Sequence, residues 1–260
     1  MSRSDSVAVA ALTFHDVSAV RGGRVIWSQG TFEVPAGDIV AVIGANGAGK
    51  TTMLQMILGL IPVGHGELRV FGRRPGTDRD RIGYVPQNYA ESAGEAIRAR
   101  DAVLLGLNGG RWAFSRTSEA DRRRVDGALA AVDAGSFADD RLATLSGGQR
   151  QRVAIAEALV SQPDMIILDE PLASLDLRSQ HEIVTLLKDL HRELSVTVVV
   201  VAHDLNPFLP ILDGAIYLLD GHPHYAGVND VIEDELLTHL YGTPIQVVRT
   251  PQGDLFARSV

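Results

Sequence analysis

The chain's 260 residues carry 24 basic against 32 acidic side chains, a formal charge of −8, and include no cysteine. The length supports one large α/β domain or a core with an inserted subdomain; the lack of cysteine excludes disulfides and thiolate metal sites and makes a reducing cytosol the plain expectation. The acidic balance, with basic residues scattered, argues against general nucleic-acid binding, and the longest apolar runs, such as Val196 to Ala202, fall far short of the roughly 18 residues of a spanning helix.

Met1 to Ser6 is polar, and the short Val/Ala stretch after it lacks the context of a secretory signal. Residues 7–34 alternate apolar and polar around Arg21-Gly22-Gly23, which predicts antiparallel strands joined by a turn. Pro35 to Asp38 reads as a second turn and Ile39 to Ile43 as a buried strand; a helix follows over Met53 to Leu58 and ends near Gly59. Glu67 to Phe71 joins the antiparallel layer, and Arg81 to Gln87 is a strand ending at Gln87. From 88 to 144 the pattern turns to charge-rich helical periodicity, clearest over Ala120 to Val132, with a loop at Asn108-Gly109-Gly110; this predicts an inserted helical lobe. Met165 to Leu168, Val196 to Val201 and Ala215 to Leu219 are apolar runs separated by helical patterns, as in a parallel sheet with crossover helices. The tail predicts a helix over Asp230 to Tyr241 and a strand pair around 245–248 and 254–257. There is no internal repeat and no low-complexity linker.

Between the strand at Ile39 and the helix at Met53 lies Gly44-Ala45-Asn46-Gly47-Ala48-Gly49-Lys50-Thr51-Thr52, a phosphate loop in its strand–loop–helix setting. Glycines let backbone N–H groups converge on phosphate oxygens, and the helix start adds a favourable dipole. Lys50 is expected to reach the β- and γ-phosphates of ATP or GTP, and Thr51 to bind Mg²⁺. Asp169 and Glu170 end the apolar run Met165 to Leu168: Asp169 suits Mg²⁺ coordination and Glu170 the polarisation of a water for in-line attack. Leu145-Ser146-Gly147-Gly148-Gln149 precedes a helix through Arg152, Ile155 and Leu159. Ser146 is placed to cap it, and the glycines leave N–H groups open to a second anion. Two phosphate sites on one nucleotide-binding core predict a head-to-tail dimer, each nucleotide lying between the phosphate loop of one copy and the Ser146 helix of the other.

These motifs, in this order, resemble the ATP-binding subunit of an ABC transporter over nearly the whole chain. The resemblance implies an α/β, P-loop NTPase (RecA-like) core with an N-terminal antiparallel β layer and an inserted α-helical subdomain. Residues 1–87 and 160–227 would form the core with its β layer, 88–159 the helical subdomain, and 228–260 a C-terminal extension. It further implies that Gly44 to Thr51 is the Walker A loop, Asp169 the Walker B aspartate and Glu170 the catalytic glutamate. Gln87 would be the glutamine that senses Mg²⁺ and the membrane partner, Leu145 to Gln149 the signature motif, Ser174 to Asp176 the D-loop, and His203 the histidine that contacts the γ-phosphate. In a chain without that company, His203 would read as a structural histidine.

Two residues depart from the family pattern. Arg21 stands where an aromatic usually stacks on adenine; a guanidinium also stacks on a base, Val20 is a second candidate, and a plain turn residue is the other reading. Glu157 stands where arginine is common, reversing a charge on the signature helix. The finer likeness is to the subunits of zinc, manganese and iron importers, through Arg111 to Arg116, Glu119 to Asp121, Val125, His203 to Pro207, Glu235 to Leu237 and Leu240 to Ile245. It implies a peripheral ATPase on the cytoplasmic face of the membrane, partnered by integral-membrane permease subunits and indirectly by a solute-binding protein. An importer for another solute, or a soluble ABC-type ATPase, is the alternative. Trp112 and Phe114 either receive a short permease helix or fill the lobe's own core, and His222-Pro223-His224 reads as an exposed turn rather than a metal sensor.

Overall fold

The computed structural model describes residues 10–89, 96–108, 117–249 and 255–259. The chain forms two compact units, Met1–Arg79 with Leu212–Val260, and Asp80–Ile211.

In the first unit, β1 (Ala10–Arg21) and β2 (Arg24–Pro35) make an antiparallel hairpin, and β1 also pairs with β4 (His65–Val70), in the order β2-β1-β4. Gly22 and Gly23 both have positive φ, 56° and 75°; a two-residue turn that follows the strand twist needs that at both positions, so Gly-Gly is the local cause of the hairpin. Leu12, Phe14, Val17 and Ala19 are buried along β1, and Phe14 stacks on Phe32 of β2 with ring centroids 4.4 Å apart. Strand β3 (Ile39–Gly44), buried throughout, runs parallel to β8 (Gly214–Leu219). The helix α1 (Lys50–Ile57) follows β3, and its apolar side, Met53, Leu54, Met56 and Ile57, is buried.

The segment His222-Pro223-His224 is not a turn. It opens β9 (His222–Gly227), antiparallel to β8 and at the end of its sheet; the turn lies earlier, at Asp220 and Gly221, with φ of 50° and 77°. A proline is tolerated in an edge strand because its missing N–H costs no ladder bond, and Pro223 packs where only Gly30 leaves room: a Cβ there would lie 2.7 Å from the proline ring. The tail helix is also two helices, α6 (Val228–Val231) and α7 (Asp234–Tyr241). Between them Ile232 leaves helical geometry, with φ −87° and ψ 69°, and both Val231 and Ile232 are buried. The strand pair is observed as β10 (Ile245–Arg249) against β11 (Leu255–Ser259).

In the second unit β5 (Ile82–Val85), β6 (Met165–Asp169) and β7 (Thr197–Val201) are parallel in that order. Between β6 and β7 runs α5 (Leu177–Leu194), which buries Ile183, Val184, Leu186, Leu187 and Leu190, one stripe at helical spacing. Between β5 and β6 the described residues hold α2 (Ala99–Asn108), α3 (Glu119–Ala131) and α4 (Gly147–Leu159) and no strand beyond one isolated bridge, Arg98 to Arg141. That is the inserted helical region expected. Trp112 and Phe114, with 111–116 generally, lie outside the described residues. After β7 the expected crossover helix is absent among the described residues. Leu205 to Ile211 closes only short turns, because Pro207 and Pro210 remove two helix donors in four residues.

Candidate active site

The phosphate loop hangs between β3 and α1 on glycines with positive φ: Gly44 at 151°, Gly47 at 80° and Gly49 at 101°. Gly49 is also fixed by packing. A Cβ there would lie 2.6 Å from Ile26 Cγ2 and 2.8 Å from Trp27 Cδ1, and Trp27 is buried to 1% exposure. The start of α1 carries no side-chain cap and no acidic residue in its first turn, so its leading N–H groups and dipole are presented to an anion. Lys50 is buried, and its Nζ donates to Gly44 O at 2.7 Å and Ala45 O at 3.1 Å. Ala45, Asn46, Gly47 and Thr51 are exposed, Ala48 is half-buried and Thr52 is buried. Arg21 is exposed at the end of β1, opposite Arg24 across the turn; Val20 is paired with Val25 on the next rung. A cavity of about 230 Å³ borders the loop at Ala45 and Ala48 and is lined further by Ile26, Asp220 and His239, so α7 of the tail reaches the loop's flank.

In the second unit, residues 87, 170 and 203 meet. Gln87 Nε2 donates to Glu170 Oε2 at 2.7 Å, and His203 Nε2 lies 2.6 Å from Glu170 Oε1. Both carboxylate oxygens are therefore held, and Glu170 itself sits at φ 52°, a conformation L-residues rarely adopt; its N–H donates to Val201 O of β7. Strained backbone of this kind clusters at functional sites. Asp169, one residue earlier, is 9% exposed, with Tyr84 Oη 3.5 Å from its Oδ2; burial, then the Asp169 charge, push the Tyr84 phenol up. A cavity of about 210 Å³ opens beside Glu170 and His203, bounded by Leu172, Gln180 and Phe208.

Ser146 caps α4 as expected. Its hydroxyl accepts from Gln149 N at 3.2 Å while Gln149 Oε1 accepts from Ser146 N at 2.8 Å, a reciprocal box in which the cap alone contributes about 1 kcal/mol. The two glycines between them have a packing cause the sequence did not reveal: a Cβ on Gly147 would be 3.0 Å from Leu175 Cδ2, and one on Gly148 would be 3.0 Å from Ser179 Oγ. The turn that ends in Asp176, which caps α5 through Ser179, thus lies directly on the signature helix. Hydrogen bonds from Ser179 hold the Asp176 carboxyl below its ordinary value.

The sequence profile of the ABC transporter family matches residues 28–173. The chain is 36% identical over 236 residues to the zinc transport system ATP-binding protein TroB of Treponema pallidum, covering 91% of this chain and 88% of TroB. The chain belongs to the ABC transporter family. It is an ATPase of that family, with a P-loop NTPase fold. It is 37% identical over 229 residues to the phosphonates import ATP-binding protein PhnC of Stutzerimonas stutzeri, covering 82% of each. Among solved structures it is similar to the ATP-binding cassette MJ0796, a dimer in a post-hydrolysis state bound to ADP and Pi. There the TM-score is 0.69 at 30% identity, over 84% of this chain and 98% of that one.

Two residues escaped the sequence reading. Tyr84 stands beside Asp169, and the alternating burial of β5 is the signal that puts it on an open face. Tyr89 donates its hydroxyl to Glu157 Oε2 at 2.5 Å, which accounts for the departure on this ABC chain's signature helix: the carboxylate is met by a phenol, and among the described residues no cation pairs with it. Burial raises the Glu157 carboxyl above its ordinary value of 4.5, with the Tyr89 hydrogen bond opposing. A carboxyl raised in the folded state adds stability below its unfolded pKa and loses that stability as pH rises through its folded pKa. Glu157→Gln is therefore expected to melt above wild type at about pH 8, the gap closing as the pH falls towards about 4. Melts across that range check it, and a variant no more stable at the upper end contradicts it.

Proposed function

We propose that the protein is the ATP-hydrolysing subunit of an importer for a divalent metal ion, zinc or manganese, working through a separate integral-membrane permease on the cytoplasmic face of the membrane. The observation that carries the hydrolytic role is the convergence of Gln87 and His203 on the two oxygens of Glu170. In this reading the amides of Gly44 to Thr52 and Lys50 hold the ATP phosphates, Glu170 orients the attacking water, and His203 braces the γ-phosphate. Either Arg21 or Val20 meets the base.

In this reading Thr51, Asp169 and Gln87 would hold Mg²⁺, and the chemistry of each suits it: the exposed Thr51 hydroxyl, the Asp169 carboxylate at a buried strand end and the Gln87 amide are hard oxygen donors. When bound, the ion neutralises charge on the β- and γ-phosphates. Ser146, Gly147, Gly148 and Gln149 complete the site of a second copy, head to tail; the MJ0796 cassette, which is dimeric, supports a dimer. Residues 1–87 and 160–227 act as the nucleotide-binding core, 88–159 as the helical subdomain facing the permease, and 228–260 as an extension. No described helix is long and apolar enough to cross a membrane, so attachment falls to the permease, with a solute-binding protein delivering the cargo to it.

The metal reading leans on TroB, which matches a larger share of the chain than PhnC does; phosphonate import is the second reading because PhnC is as similar in identity. Co-expression with the permease and uptake into membrane vesicles tests both. We expect the permease to co-purify, and zinc or manganese uptake to depend on ATP. Phosphonate uptake alone would replace the cargo, and recovery of only soluble or nucleic-acid partners would overturn the transport role.

A further inference from the structure

The segment after β5 and the signature helix α4 are far apart in sequence, yet one short hydrogen bond ties them. Tyr89, 8% exposed, lies two residues beyond Gln87 and donates to Glu157 Oε2 at 2.5 Å. Gln87 in turn holds Glu170 Oε2 at 2.7 Å. Glu157 is in the last turns of α4, whose first residue follows Ser146; at 1.5 Å per residue the helix carries any movement of Glu157 about 16 Å to the signature end. Helix α2 braces the same place. A Cβ on Gly106 would lie 2.4 Å from Glu157 O and 3.0 Å from its Cγ, so the stem of Glu157 is seated against α2 while its carboxylate meets Tyr89.

We propose that Tyr89 and Glu157 are a positioning pair, fastening the Gln87 segment to the signature helix so that the hold on Glu170 and the placement of Ser146 change together. The chemistry explains why a carboxylate stands here. An arginine at 157 offers only donors and cannot receive the phenol proton, whereas a carboxylate or an amide oxygen can, and a charged acceptor makes the shorter, stronger bond. The inference rests on the ABC ATPase reading above.

The test is steady-state ATP hydrolysis by the full chain, as wild type, Tyr89→Phe, Glu157→Leu, the double variant and Glu157→Gln. Tyr89→Phe is expected to lower kcat about tenfold, the loss of one charge-assisted hydrogen bond, with KM for ATP within about twofold because the phosphate loop is untouched. Glu157→Leu should lose as much, and the double variant no more than either single change, since both remove the same bond. Glu157→Gln, which keeps an acceptor, should stay within about twofold of wild type. If Glu157→Leu fails to fold, the comparison of Tyr89→Phe with Glu157→Gln decides alone, because both are nearly isosteric with the native side chains. An unchanged kcat in Tyr89→Phe, additive losses in the double variant, or a Glu157→Gln as impaired as Glu157→Leu would each overturn the pair. A wild-type chain that hydrolyses no ATP would instead sink the functional reading, so the two failures are distinguishable.

Discussion

Glu170→Gln is expected to bind ATP, accumulate as an ATP-bound dimer, and lose hydrolysis by about 10²–10⁴-fold, the usual worth of a positioned general base. The substitution keeps the size and most of the hydrogen-bonding shape of the side chain. Its oxygen still accepts from Gln87, so the strand end and its φ of 52° have no new reason to shift. What it removes is the basicity of a group whose two oxygens are held 2.7 Å from Gln87 and 2.6 Å from His203. A site arrested before the chemical step but able to bind would trap the closed dimer. Phosphate release measured beside size-exclusion chromatography with and without ATP reads both halves, and wild-type turnover in the variant would remove Glu170 from the mechanism.

Gly49→Ala is expected to weaken ATP binding at least tenfold and to destabilise the fold by about 1–3 kcal/mol, the cost of holding a non-glycine residue in a disallowed backbone region. Two effects add here. The φ of 101° resists any side chain, and the new Cβ would stand 2.6 Å from Ile26 and 2.8 Å from Trp27. Trp27 cannot yield cheaply, because it is buried to 1% exposure and its ring packs against Phe14 with centroids 6.5 Å apart. Relief therefore has to come from the loop, which displaces the N–H groups that would meet the phosphates. Gly47→Ala is the internal control: its φ of 80° is also positive, but a Cβ there meets nothing within 4 Å, so it should carry the backbone strain without the collision and lose less. Melts and nucleotide titrations compare the two, and equal effects would show that packing against β2 does not shape the loop.

Much of the molecule was legible in the sequence where the cause is local. The hairpin at Gly22-Gly23 follows from two residues that accept positive φ. Ser146 reads as a helix cap because its partner lies within one helical turn; the structure adds the return bond from Gln149. Where the reading slipped, a longer-range term prevailed. His222-Pro223-His224 has the composition of a turn, but pairing with β8 and the space above Gly30 make it a strand. The tail helix breaks at Ile232, where the backbone turns to φ −87° and ψ 69° while Val231 and Ile232 both stay buried.

For the site itself, the sequence alone determined which groups are available: a glycine loop with Lys50 and Thr51, a strand ending in Asp169 and Glu170, a capped helix at Ser146, and a histidine after an apolar strand. Spacing along the chain is enough for these, since each depends on a few consecutive residues. Only the tertiary structure decided what they touch. Gln87, 83 positions from Glu170, reaches its carboxylate through the parallel register of β5 and β6; His203 arrives at the other oxygen from the end of β7. Trp27 shapes Gly49 across the fold of the first unit, and Tyr89 meets Glu157 68 positions away. Contacts between distant residues are set by register, crossing and packing, which carry no periodic trace along one chain, so they emerge only when the elements are brought together.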